Sequence, residues 1–195
     1  DMDTLVDLAR AERPDVPLFL LGHSMGGALS LSYALNHQEK LDGLLLSGPA
    51  VSLDGASTAT QIISKILSFV APSLGLFGVD PSVVSRDPVE VAAYDNDPLN
   101  FHGKVPARTV GEIVNFVGML PGRLAEITLP VLLMHGTDDK LAGISGSEMV
   151  LKSIKSKDKT LKRYTGLYHE IFNEFPDDRA RVFADMGAWL NTHIG

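Results

Sequence analysis

Residues 19–35, FLLGHSMGGALSLSYAL, change hydrophobic period at a serine, and this junction constrains the fold more than any other stretch. The apolar run before it, residues 16–23, is bounded by Pro and Gly and predicts a strand buried on both faces. The run after it predicts a helix from Gly26 to Asn36. Between them, Gly22-His23-Ser24-Met25-Gly26 has the G-x-S-x-G spacing of a nucleophile elbow. A serine at so sharp a strand-to-helix turn needs strained backbone, and glycines two residues to either side let neighbouring chain approach without a Cβ clash. The turn exposes Oγ and aims the positive end of the helix at the place where an oxyanion would develop. Ser24 is therefore the expected nucleophile, and His23 is expected to orient the turn or line the pocket.

The rest of the chain supplies the layers around that turn. Residues 2–11 place Leu5, Val6, Leu8 and Ala9 on one helical face, and Pro14 follows as a stop. Residues 41–49, 129–136 and 160–166 read as further strands. Residues 178–193 read as a closing helix with Val182, Phe183, Met186, Trp189 and Leu190 on its apolar side. Strands alternating with helices predict parallel βαβ units and an α/β fold, a parallel sheet with flanking helices. The alternation lapses over residues 51–128, where apolar helical stretches and turn-rich sequence suggest a lid or cap inserted between core strands. The expected organisation is a core segment at 1–50 with the elbow, a cap at 51–128, and a core segment at 129–195 carrying acid and base.

Composition excludes several classes of function. The 195 residues are 45% hydrophobic, enough for one core. A net charge of -7 opposes nucleic-acid binding, and the lysines at 152–162 are diluted by Ser, Asp and Thr as on a solvated surface. There is no cysteine, which excludes a disulfide framework, a thiol nucleophile and a Cys-ligated metal. The apolar stretch at 62–79 is broken by Lys65, Pro72 and Gly75, so it is not read as a spanning helix. No metal or cofactor is expected.

A serine nucleophile needs a base, and there are six histidines. His23 is too close in sequence, His37 and His193 sit near helix ends and are expected in solvent, and His102 falls in the cap, lining the pocket at best. His135 ends a strand and is expected to be structural. His169, in TGLYHEIFNE, lies on the loop after the last strand, from which an imidazole reaches over the carboxyl ends of the sheet. It is the expected base. The acid should follow a strand between Ser24 and His169, and HGTDDK (135–140) offers two adjacent carboxylates. One must accept the Nδ1–H of His169 and the other is a turn residue. Spacing does not choose between Asp138 and Asp139.

Taken together, GHSMGG, SRDPVEVAAYDNDPL, HGTDDK and GLYHEIFNE resemble the monoacylglycerol lipases of the α/β-hydrolase superfamily, most nearly the bacterial type. The similarity runs the length of the chain, and its cap segment is more discriminating than the elbow. The resemblance implies that the acid, the last residue of an H-G-x-x-D pattern, is Asp139. It implies Ser24 as nucleophile, His169 as base and the Met25 N–H as one oxyanion donor. It implies hydrolysis of a monoacylglycerol to glycerol and fatty acid through an acyl-enzyme. On that reading Ile62, Ile66, Leu67, Phe69, Val70, Leu74, Leu76 and Phe77 of the cap wall the acyl chain and touch a membrane or lipid-droplet surface, for a cytoplasmic or peripherally membrane-associated enzyme. The sequence departs from the family at its front. Nothing in residues 1–16 matches the His-Gly loop that carries the second oxyanion donor, nor the strands around it. The chain is therefore expected to be the C-terminal part of an enzyme whose N-terminal part is its missing partner, with strand 16–22 left as an apolar edge. A lysophospholipase, a carboxylesterase or a proline-type aminopeptidase would share the same triad. An epoxide hydrolase would need an acid where Ser24 stands. A catalytically silent binding module is opposed by the three intact positions.

Overall fold

Helix α1 (Met2–Glu12) leads into strand β1 (Phe19–His23), helix α2 (Met25–His37) and strand β2 (Gly43–Ser47). The chain then leaves the main sheet through α3 (Thr58–Val70), β3 (Gly75–Phe77), α4 (Pro88–Asn96), β4 (Val105–Pro106) and α5 (Ala107–Arg123). It returns as β5 (Val131–Gly136), α6 (Ile144–Ser153), β6 (Lys159–Tyr164) and α7 (Pro176–Asn191). This computed structural model describes residues 1–53 and 57–194.

The main sheet has the order β1-β2-β5-β6 with every neighbouring pair parallel. It is the α/β-hydrolase arrangement expected, a parallel sheet with helices on its faces. β1 begins at Phe19, past Pro17, whose nitrogen has no hydrogen to donate to a ladder. Side chains alternate between the two faces. Leu44, Leu46, Val131 and Leu133 pack with Leu31 and Ala34 of α2 and with Val150 of α6. Leu45, Leu132, Met134 and Tyr164 pack with Val182 and Trp189 of α7. β2 and β5 bury every residue, as parallel strands covered on both faces do. Each fully buried leucine here contributes about 2–3 kcal/mol.

β1 differs from the expectation of burial on both faces. It lies at the edge of the sheet, paired only with β2, and Leu21, outside the cluster that packs on α7, is 47% exposed. Likewise only Val6 of α1 is buried, while Leu5 and Leu8 face solvent. In α7, Phe183 remains half-exposed although Val182 and Trp189 are buried.

The inserted segment rests on an α3–α5 pair. The buried residues of α3 are Ser64 and Ser68, seated against Gly111 of α5, where a Cβ would come within 2.4 Å of the Ser68 side chain. Small residues let the two helices approach closely, and the aliphatic side chains of α3 are consequently turned outward. β3 and β4 pair antiparallel and set Phe77 opposite Val105. The segment then plugs back into the main core through Leu120, Leu124 and Ile127, all fully buried. Among the described residues no helix is long and apolar enough to cross a membrane.

Candidate active site

β1 and α2 meet at Ser24, whose φ of 54° makes it the one non-glycine residue with positive φ among those described. Such a conformation costs about 1–3 kcal/mol and persists only where surrounding structure fixes it. Here the Ser24 N–H donates to the Ser47 carbonyl at 3.0 Å, and the Ser24 carbonyl accepts from the N–H groups of Ala28 and Ala50 at 3.2 and 3.0 Å. Gly22 has to be glycine, since a Cβ there would lie 2.4 Å from the Gly26 carbonyl oxygen and from Ser30 Oγ. Met25 is the first residue of α2, so its N–H has no partner within the helix and sits at the positive end of the dipole.

His169 arrives on the loop after β6, 4% exposed, with Nδ1 2.7 Å from Asp139 Oδ2. The Asp139 side chain is fully buried after β5. Its Oδ1 accepts the N–H groups of Leu141 and Ala142 at 2.8 and 2.9 Å, and its Oδ2 also lies 3.2 Å from His135 Nε2. Burial pushes the Asp139 carboxyl up, but hydrogen bonds from His135 and His169 and the Ala142 N–H outweigh it and hold the group far below the usual carboxylate range. A carboxylate only accepts, so His169 Nδ1 carries hydrogen and Nε2 is left free to take a proton. Room for this pair exists because residue 48 is glycine, with φ 47°; a Cβ would come within 3.2 Å of Asp139 Oδ2 and 3.3 Å of His169 Nδ1. Asp138, the other carboxylate left open by spacing, is exposed and accepts the Thr137 hydroxyl at 2.9 Å.

A cavity of about 350 Å³ holds Ser24, Met25, His23 and His169 together. The His23 ring lies 4.7 Å from that of His169, and its Nδ1 is 3.2 Å from Ser47 Oγ. Burial, reinforced by the neighbouring His169, pushes the His23 imidazole down, so it stays neutral. Of the acyl wall expected from sequence, Phe77 lines this cavity. Ile62, Ile66, Phe69, Val70 and Leu74 face solvent instead, and the half-buried Leu67 and Leu76 do not reach it. Val79, Val84, Tyr94, Val105 and Ile113 supply the wall. Tyr94 had a signal, falling within SRDPVEVAAYDNDPL; the valines carried none that distinguishes them from core. His102 is exposed and bonded to the Asp97 carbonyl, outside the cavity. His193 is not in solvent as expected, since it stacks on Trp189 at 3.9 Å and pairs with Asp158 at 2.9 Å.

The inserted segment is fastened to the His169 loop at one place. The Val84 carbonyl accepts the Glu170 N–H at 2.8 Å, and Ser85 Oγ donates to the Asn173 carbonyl at 2.6 Å. Arg86 donates from Nε to Glu174 Oε2 at 2.9 Å and ion-pairs with Asp178. Glu174 is fully buried, and its Oε1 accepts the Tyr168 N–H at 2.7 Å, one residue before the histidine. Among the described residues no three His, Asp or Glu side chains gather as a metal site would require.

Comparison with known proteins places this geometry among hydrolases. The Hydrolase_4 family (serine aminopeptidase, S33) matches residues 1–176. The chain is 38% identical to the monoacylglycerol lipase of Mycolicibacterium smegmatis over all 195 residues, spanning 69% of that protein. It is 36% identical to the mouse monoglyceride lipase over 97% of its own length, spanning 63% of that relative. A soluble variant of the Saccharomyces cerevisiae monoglyceride lipase, solved with a substrate analogue, superposes with a TM-score of 0.89 at 30% identity, over all of this chain and 68% of that one.

Proposed function

Because the chain belongs to the serine aminopeptidase S33 family of α/β-hydrolases, we propose that it hydrolyses the ester of monoacylglycerols to glycerol and a fatty acid. The observation that carries this reading is the buried Asp139–His169 pair opening on the same apolar cavity as the strained Ser24. The likeness to proteins named monoacylglycerol and monoglyceride lipases supports the choice of ester. His169 Nε2 takes the Ser24 proton, and Oγ attacks the ester carbonyl. The Met25 N–H holds the oxyanion at the N-terminus of α2. Glycerol leaves with the proton from His169, and water then hydrolyses the acyl-enzyme. Asp139 keeps His169 in the right tautomer and balances the imidazolium. Gly22, His23 and Gly26 keep the elbow in shape, and Phe77, Val105 and Ile113 pack against the acyl chain.

Residues 1–50 and 129–195 act as the catalytic core and 51–128 as a cap. The outward face of α3, with Ile62, Ile63, Ile66, Phe69 and Val70, is the surface that meets lipid, in a surface-lying association. The half-exposed apolar edge strand β1 supports further chain of the same enzyme pairing along it and bringing a second oxyanion donor. The test compares initial rates of the enzyme with that further chain present on monoolein, lysophosphatidylcholine and an aminoacyl anilide, with Ser24→Ala as background. A Ser24-dependent preference for monoolein is expected. A preference for either of the others, or no Ser24-dependent rate, would overturn the reading.

A further inference from the structure

His135 is the last residue but one of β5, with its side chain fully buried, and the sequence suggests no more for it than a structural role. Its neighbours say more. Nε2 lies 2.8 Å from the Ala142 carbonyl and 3.2 Å from Asp139 Oδ2, while Nδ1 lies 2.7 Å from Ser147 Oγ. A carbonyl only accepts, so Nε2 carries a hydrogen, and in the neutral ring Nδ1 accepts from the Ser147 hydroxyl. That Nε2–H reaches the same carboxylate oxygen that takes the Nδ1–H of His169. Asp139 Oδ2 is thus approached by two imidazoles, one from the open cavity and one from the core.

The two do different things. His169 must exchange a proton at Nε2 in each half-reaction and lies beside the cavity, so it is a poor fixed reference for its own partner. His135 is held at both ring nitrogens, by the Ala142 carbonyl of the β5–α6 connection and by Ser147 Oγ of α6, and is fully buried. With Oδ1 pinned by the Leu141 and Ala142 N–H groups, a donor on the core side of Oδ2 leaves the carboxylate one orientation. We propose that His135 is a positioning residue: its Nε2–H, shared between the Ala142 carbonyl and Asp139 Oδ2, fixes the carboxylate that orients His169. The inference rests on the serine-hydrolase reading of the site. Consistent with it, His135 is foremost among the groups that hold the Asp139 carboxyl ionised against burial.

Two substitutions separate positioning from space-filling. His135→Gln can present an amide N–H where Nε2 lies; His135→Asn reaches only to the Nδ1 position and cannot. In the full-length chain, the downfield proton resonance of His169 Nδ1–H, identified by its loss in His169→Gln, is read by NMR beside kcat and KM on monoolein. The resonance should persist in His135→Gln with kcat within about threefold of the native value. In His135→Asn it should broaden away and kcat should fall about 10–100-fold with KM unchanged. Equal resonances and equal kcat in the two variants, or losses that merely follow their melting temperatures, would overturn the role. Should the native chain show no Ser24-dependent hydrolysis, the proposed reaction fails, while the resonance comparison still decides whether His135 holds Asp139.

Discussion

Helices α2 and α3 are each 13 residues long and both rich in aliphatic side chains, yet they bury opposite kinds of surface. α2 buries Gly27, Ala28, Leu31, Ala34 and Leu35 against the sheet and leaves Leu29 at its outer side. α3 buries two serines and leaves its isoleucines, Phe69 and Val70 in solvent. The difference follows from what each helix meets. α2 packs on a sheet whose buried strands present continuous leucine, so apolar area is what it removes from water. α3 meets a glycine on a single neighbouring helix, and close approach is available only through small side chains. An apolar face turned outward costs about 25 cal/mol for each Å² left wet. Contact with a lipid surface would recover it.

Breaking the nucleophile should have the largest effect and leave both helices intact. Ser24→Ala is expected to lower kcat on a monoacylglycerol by at least about 10⁴-fold, read by fatty-acid release, with an unchanged circular dichroism spectrum. Cutting one tie between the inserted segment and the core comes next. Arg86→Ala leaves the buried Glu174 carboxylate without its cation, and chemical denaturation should show a loss of about 3 kcal/mol. Deleting core volume under α2 should match it in size: Leu133→Ala is expected to cost about 3 kcal/mol by the same measurement. The corresponding change on α3 should separate stability from binding. Phe69→Ser, at a side chain 84% exposed, is expected to move stability by less than about 0.5 kcal/mol yet weaken sedimentation with phospholipid vesicles. Unchanged vesicle binding would remove lipid contact as the reason for the outward face.

Acid pH probes the socket around Asp139. Its carboxyl is held below the unfolded value of about 3.9, so the folded state binds its proton less readily than the unfolded chain does. The stabilisation is fully present above about pH 4 and is lost as pH falls towards the folded value. Melting temperature should therefore drop more steeply below about pH 4 in the native chain than in Asp139→Asn, where the group cannot titrate.

What could be read from sequence divides along the same line as the two helices. The elbow was legible because its requirements are local: a glycine two residues before Ser24 and another two after it, between a strand and a helix. The position of His169 was legible because the loop after the last strand leaves it little choice of where to go. The choice between Asp138 and Asp139 was not, since adjacent residues on a turn point in opposite directions and spacing carries no direction. The cavity wall was hidden for a related reason. Ile62 and Phe69 look equally fit for an interior or an exterior until the Ser64–Ser68 contact with Gly111 decides which side of α3 faces in. Val79, Val84 and Val105 line the site from short turns and bridges whose pattern has no period to read.

The fastening of residues 84–86 to the His169 loop has a mechanical consequence. The inserted segment is held at both of its sides, by residues 84–86 on the His169 loop and by Leu120, Leu124 and Ile127 in the main core. The hold at residues 84–86 lies beside His169, because Glu174 grips Arg86 with one oxygen and the Tyr168 backbone with the other. Val84 lines the cavity, and its carbonyl holds the Glu170 N–H next to His169, so that part of the wall and the histidine are one unit. Whatever shifts residues 84–86 must therefore shift the backbone on either side of His169 with them.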